Sequence, residues 1–285
     1  MAILSFSSFS SFSLPLCAPT GLGEGCRRTA ALARAVGVDV AVLTAHMLLY
    51  PTGMAQERLL RIPDGDGCAP RAPSRDRARP PVLLMHGFVD NRSVFALLRR
   101  SLHRNGWTHV QALNYSPLTC DVRVAAALLA RHVEEVCRST GHRRLDIVGH
   151  SLGGLIARYY VQRLGGDARV RTLVTLGTPH SGTRAALLLA PHPIVRQMRP
   201  GSGLIGELAM PAPECRTRFV AFWSDMDQVM SPIEAARVEH PDLTAHNVLV
   251  SGVGHLTLPV HGEVAAGTRR ALAGPGGPAE DDRAA

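Results

Sequence analysis

Apolar strand-like segments alternating with amphipathic helical ones predict an α/β protein, with a mostly parallel sheet covered by helices on both faces. Three observations carry this. Val82-Leu83-Leu84-Met85 is a continuous apolar run, as a strand buried on both faces requires. From there to residue 272 such runs alternate with segments whose apolar residues recur every three or four positions. A chain of 285 residues with 46% hydrophobic and 19% charged residues suits one sizeable core with additions, not two catalytic domains or a disordered polymer.

The elements follow in order. Residues 1–28 begin MAILSFSSFSSFSLPLC, rich in serine and phenylalanine and without a basic n-region, which predicts a disordered start. Arg27 and Arg28 then precede the apolar run Thr29–Tyr50, closed by Pro51 and Gly53, within a helical segment expected over 29–62. Its length suits a membrane span with the arginines on the inner flank. Arg34, Asp39 and His46 lie inside it, however, and ionisable groups are costly at a bilayer centre. On a helix Asp39 and His46 share a face, which fits a helix packed on the following domain. Gly53-Met54-Ala55 also offers a small-x-small cleavage pattern. Anchor, signal and packed helix stay open, with membrane association through Thr29–Tyr50 or export slightly favoured over a cytoplasmic chain.

Residues 63–80 are rich in proline and arginine without periodicity, marking a linker. A domain over 81–273 follows. Helical spacing predicts helices over Ser93–Arg104, Asp121–Ser139, Leu152–Leu164, Pro232–Val238 and Val260–Leu272. Strands are expected at Val110–Tyr115, Leu145–Val148, Val170–Leu176, Phe219–Phe222 and Val248–Val250. Residues 181–215 interrupt this alternation with apolar clusters broken by glycine and proline, which fits either a small lid or a surface helix pair packed on the sheet. Residues 274–285 read as a frayed acidic tail.

Gly149-His150-Ser151-Leu152-Gly153 directly follows one strand and opens a helix. That context gives G-x-S-x-G its meaning: the serine sits on a strained turn, flanking glycines avoid collision, and a helix N-terminus adds positive potential. A serine hydroxyl needs a base to become a nucleophile, and an acid to orient that base. Among the 13 histidines, His255 follows the last strand in a glycine-rich loop and is the expected base. His261 is a weaker rival, His86 and His180 come too early in the chain, and His150 is expected to point away from its tight turn. Asp227, after the Phe219–Phe222 strand, is the expected acid, with Asp225 as the alternative that holds the loop. Backbone N–H groups of Leu152 and Phe88 are the expected oxyanion donors, Gly87 letting the chain turn in closely.

Strand-HGF, GHSLGG, Leu176-Gly177-Thr178-Pro179-His180-Ser181-Gly182, S-D-x-D-x-V and G-V-G-H-L together resemble bacterial lipases and esterases of the α/β-hydrolase superfamily. The resemblance covers roughly Pro81 to Leu272. It implies the α/β-hydrolase fold, hydrolysis of carboxylic, lipid-like esters through an acyl-enzyme, and no cofactor or metal. The same machinery serves thioesterases and acyltransferases, and a non-catalytic binding protein is the rival from another class.

The net charge of +8 does not point to nucleic acid. All 31 basic residues are arginine, as a GC-rich coding bias would produce, and they are spread along the chain. Six cysteines without CxxC pairs make a zinc site improbable. Cys120 and Cys137 flank a helical stretch of about 25 Å, too long for a disulfide, so Cys137 reads as a buried hydrophobe. A bridge from Cys68 or Cys120 to Cys215 stays open.

Overall fold

The computed structural model describes residues 20–53, 79–88, 90–115, 121–187 and 192–274. Its elements are α1 (Thr20–Gly53), β1 (Val82–Met85), α2 (Ala96–Arg104), β2 (Val110–Leu113), α3 (Val122–Thr140), β3 (Leu145–His150) and α4 (Leu152–Arg163), followed by β4 (Val170–Leu176), α5 (Pro193–Gln197), α6 (Gly203–Ala209), β5 (Arg218–Trp223), β6 (Ala245–Leu249) and α7 (Gly262–Ala273). The strands form one sheet in the order β2-β1-β3-β4-β5-β6, and every neighbouring pair is parallel. Successive residues of β1 serve opposite faces. Leu83 and Met85 pack with α3 and α4, whereas Val82 and Leu84 pack with residues of α2 and α7. That division explains the unbroken apolar run.

The chain leaves β1 for β2 on one side and later builds β3 to β6 on the other. This reversal opens a crevice beyond the carboxyl ends of β1 and β3, where ligands bind in open α/β sheets.

Several expectations need correction. Residues 1–19 lie outside the described residues, but helix α1 already begins at Thr20, so 20–28 are helical and not disordered. It ends at Gly53; the remainder of the expected helix, most of the linker, and the tail from 275 on also lie outside. No helix forms over Pro232–Val238: Ile233–Ala236 make a short 3-10 turn. The chain then extends at Arg237, and the Val238 N–H donates to Asn247 Oδ1 at 2.8 Å, tying it to β6. Leu258–Val260 likewise make only a 3-10 turn, and the chain extends at His261 before α7 starts at Gly262.

The 181–215 insertion is not a free-standing lid in its described part. Ile194, Val195, Leu204 and Leu208 are buried in the same core as the sheet. Glu207 pairs with Arg123 and accepts from the Tyr159 hydroxyl at 2.7 Å, tying α6 to α3 and α4. Cys137 is buried, and Cys137 and Cys215 are free thiols. Cys68 and Cys120 lie outside the described residues.

Helix α1 packs along one stripe. Between residues 27 and 53, Ala31, Ala35, Asp39, Val42, His46, Tyr50 and Gly53, spaced by three or four, are its buried and half-buried positions. Asn91 Nδ2 donates to the Tyr50 carbonyl at 2.8 Å and Asn114 Nδ2 to the Gly53 carbonyl at 2.6 Å, fixing the helix C-terminus beside β1 and β2. The outer surface is apolar: Val36, Val40, Leu43, Met47 and Leu48 are exposed, Leu48 by 77%. The helix is long and apolar enough to cross a membrane, by length and composition.

Candidate active site

Ser151 joins β3 to α4 with φ +50°, and among the described residues it alone departs from negative φ without being glycine. Such a conformation costs about 1–3 kcal/mol and persists only where the surroundings enforce it. Here they do. The Ser151 N–H donates to the Leu176 carbonyl at 2.9 Å, and the Ser151 carbonyl accepts from Gly154 N–H at 3.1 Å and Thr178 Oγ1 at 3.0 Å. The glycines allow the elements to close up. A Cβ on Gly149 would overlap the Gly154 backbone, and one on Gly153 would enter the Met85 and His86 carbonyls. A Cβ on Gly154 would overlap Thr178 Oγ1.

His255, in the loop after β6, and Asp227, in the loop after β5, are both almost wholly buried. His255 Nδ1 lies 2.8 Å from Asp227 Oδ2, while Asp227 Oδ1 accepts from the N–H groups of Val229 at 2.9 Å and Met230 at 3.0 Å. Burial disfavours the imidazolium, but the charge and hydrogen bond of Asp227 outweigh it and raise the His255 pKa above 6.5. Burial equally opposes the Asp227 carboxylate, and the His255 charge with the three hydrogen bonds pulls its pKa below 3.8. Both directions describe one attractive pair. Among the described residues the Ser151 hydroxyl makes no hydrogen bond, so the structure pairs His255 with Asp227 without closing a link to the serine.

Asp225 does something else: its Oδ1 accepts from Gly252 N–H at 2.7 Å, bracing the loop that carries His255. His261 stands at the N-terminus of α7, and His180 is buried against Thr175 Oγ1 at 3.0 Å. His150 corrects the expectation that it points away. Its Nε2 lies 3.2 Å from the His255 carbonyl oxygen, its ring centroid is 4.8 Å from that of His255, and its Nδ1 is 3.6 Å from Asp90 Oδ2. Non-local packing alone turns it inward.

The loop after β1 is equally fixed. The Tyr115 hydroxyl donates to the carbonyls of His86 at 2.6 Å and Gly87 at 3.1 Å, and its ring stacks on His86 with centroids 4.3 Å apart. With the Gly87 carbonyl held, the planar trans peptide directs the Phe88 N–H the opposite way. Among the described residues neither the Phe88 nor the Leu152 N–H takes part in a backbone hydrogen bond of the loops and caps. A Cβ on Gly87 would sit 3.4 Å from Ser151 Cβ, so this loop abuts the serine.

Sequence reasoning found no role for Leu176–Thr183. Thr178 anchors the Ser151 carbonyl, and Gly177, at φ +54°, makes room for the Asp227–His255 pair: a Cβ there would press on Asp227 Oδ2 and His255 Nδ1, both at 3.0 Å.

Topology and the position of Ser151 within it define the class: the chain has the α/β-hydrolase fold. Within it, the palmitoyl protein thioesterase family model matches residues 81–200. Triacylglycerol lipases of Pseudarthrobacter phenanthrenivorans and Burkholderia plantarii are each 29% identical to the chain over 116 residues, 38% of its length. The chain spans about a third of these curated relatives, 35% and 32% respectively. Among solved structures, the mature lipase BlEst2 of Bacillus licheniformis is similar at TM-score 0.55 and 18% identity, covering 67% of this chain and 93% of that one. MGS-MChE2, an α/β hydrolase from a lagoon-sediment metagenome, is similar at TM-score 0.51 and 19% identity, covering 67% and 90%. These structural likenesses concern the fold.

Proposed function

We propose that the protein is a serine hydrolase that cleaves acyl esters through an acyl-enzyme, with Ser151 as nucleophile, His255 as general base and Asp227 as the orienting acid. The observation that carries this reading is the 2.8 Å contact between buried His255 Nδ1 and Asp227 Oδ2, on the same sheet edge as the strained serine. Ser151 Oγ attacks the ester carbonyl as His255 Nε2 takes its proton, and the same proton then passes to the departing alkoxide. The Phe88 and Leu152 N–H groups hold the oxyanion, aided by the N-terminus of α4. Water, deprotonated by His255, then attacks the acyl carbonyl, and the Ser151 Oγ–acyl bond breaks as Oγ takes that proton back and the carboxylic acid leaves.

The preference for lipid esters rests on the lipase relatives and on α1. Its outer face is proposed to lie on a lipid surface, with exposed Val36, Val40, Met47 and Leu48 entering the acyl boundary and Arg27 and Arg28 meeting anionic headgroups. Burial of Asp39 and His46 against the hydrolase domain supports a helix lying along the surface.

A second reading, cleavage of acyl thioesters, is favoured by the thioesterase family match, which covers the proposed nucleophile and oxyanion donors. Matched p-nitrophenyl esters and acyl thioesters of two to sixteen carbons decide between them. Oxygen-ester turnover dominating, rising with chain length and abolished by Ser151→Ala, is expected. Faster thioester turnover selects the second reading. Failure of a fluorophosphonate to label Ser151 in folded protein refutes both.

A further inference from the structure

We propose that Asp39 of α1 is a positioning residue for His255, so that the N-terminal helix forms part of the catalytic apparatus. The inference rests on the hydrolase reading above. Asp39 Oδ1 accepts from the Thr257 N–H at 2.9 Å and the Thr257 hydroxyl at 2.6 Å, and Oδ2 from the Leu256 N–H at 3.3 Å. A Cβ on Gly254 would overlap the same carboxylate, so Asp39 lies against the chain on both sides of His255. The turn bearing the imidazole is thereby held from a segment more than 200 residues away in sequence.

The choice of side chain is informative. Asp39 is 7% exposed in an otherwise apolar segment, and among the described residues it forms no ion pair with arginine. A helix that only needed to dock would bury an apolar residue there, because desolvating an unpaired carboxylate is expensive. This carboxylate is compensated by the three donors of one turn, and that turn is the one whose placement the chemistry requires. The ring is confined elsewhere by Asp227, Gly177 and His150, none of which holds the backbone at 256 and 257. Asp39 supplies that missing restraint.

Charge gives a second consequence. The groups facing His255 are Asp227 from the loop after β5, Asp39 from α1, Asp90 from the loop after β1 and His150 from β3. The Asp39 carboxylate favours the imidazolium alongside Asp227 and Asp90. Removing its charge therefore lowers the pH at which the base becomes protonated.

The test uses the full chain carrying Asp39→Ala, Asp39→Asn or Thr257→Val, with Thr44→Ala as an exposed control on the same helix. With p-nitrophenyl butyrate, Asp39→Ala is expected to lower kcat roughly ten- to a hundredfold, as misplacement of a catalytic group does, with KM within about twofold. Asp39→Asn loses less and moves the acid limb of kcat to lower pH, and Thr44→Ala matches wild type. Hydrogen exchange at 254–258 accelerates in both Asp39 variants while that of β3 and β4 is unchanged. Asp39→Ala with kcat within about threefold of wild type, or with unchanged exchange at 254–258, overturns the proposal. Should Asp39→Ala release α1 altogether, Thr257→Val decides, since it removes one of the three donors and leaves the helix intact. A wild-type Tm with kcat lowered about threefold or more supports the role, and unchanged kcat refutes it. A wild-type protein inert to fluorophosphonate would instead sink the hydrolase reading, and exchange at 254–258 would still report whether Asp39 holds the turn.

Discussion

Replacing Asp227 by asparagine changes one atom and puts two demands in conflict. Asp227 Oδ1 faces two backbone donors, Val229 and Met230, whereas Oδ2 faces His255 Nδ1. In the variant, the amide oxygen satisfies the two N–H groups and the NH2 turns toward the imidazole. Nδ1 must then accept, so the proton sits on Nε2, where it blocks removal of the serine proton. Flipping the amide restores the useful tautomer but abandons two hydrogen bonds to backbone donors, at about 1–3 kcal/mol each. A total of roughly 2–6 kcal/mol, at 1.36 kcal/mol per factor of ten, leaves the competent arrangement about 30 to 3 × 10⁴ times rarer. The kcat of Asp227→Asn on p-nitrophenyl butyrate should fall by that factor, while Tm and KM change little. Asp225→Asn, which perturbs only the brace to Gly252, should cost less than about tenfold. An Asp227→Asn enzyme within tenfold of wild type would refute the tautomer argument, and inactivation by Asp225→Asn would transfer the role to Asp225.

Three further outcomes follow from the same geometry. On the proposed reading His255 must be neutral to act as a base, and its pKa is raised, so kcat/KM should fall as pH drops through a midpoint above 6.5; Asp227→Ala should move that midpoint down, read from pH–rate profiles. Gly153→Ala would gain up to about 1 kcal/mol of helix propensity at an ordinary site. Here its methyl meets the Met85 and His86 carbonyls, so a loss of about 1–3 kcal/mol in urea unfolding is expected, with loss of fluorophosphonate labelling. Val40→Ser, Met47→Ser and Leu48→Ser combined should abolish flotation with anionic vesicles and leave turnover of soluble butyryl ester within about twofold. Buried apolar side chains contribute about 1.5–3 kcal/mol each, and retained flotation would exclude this face as the lipid contact.

What the sequence disclosed follows the range of each interaction. GHSLGG was legible because the strained turn, its glycines and the helix it opens are contiguous, and each glycine answers to a contact within the β3–α4 unit or its immediate neighbours. Asp227 and His255 were legible through chain order and placement after strands. His150 was not, because its approach to His255 depends on where the loop after β6 crosses the sheet edge. Thr178 was visible as a motif but not as a function, since its bond to the Ser151 carbonyl arises only when β4 lies beside β3. The insertion was ambiguous for another reason: a lid and a packed cap both need apolar clusters, and only the burial of Ile194, Val195, Leu204 and Leu208 separates them.

The same ambiguity in α1 has a physical resolution. Hydropathy averages over all sides of a helix, so a segment with a few polar residues and an apolar remainder scores as a membrane span whichever way those residues point. Position decides. Asp39 and His46 fall on the stripe with Ala35 and Gly53, so these two ionisable groups meet protein, while Arg34, toward the N-terminal end of the run, is exposed. The exposed aliphatic residues occupy the remaining sides. A helix divided in this way satisfies both surroundings only while it stays docked; if it were removed after residue 53, the Thr257 N–H and hydroxyl and the Leu256 N–H would all lose their acceptor. On the proposed reading, lipid contact and placement of His255 are opposite faces of one element, so loosening the helix from the domain should cost turnover before it costs the fold.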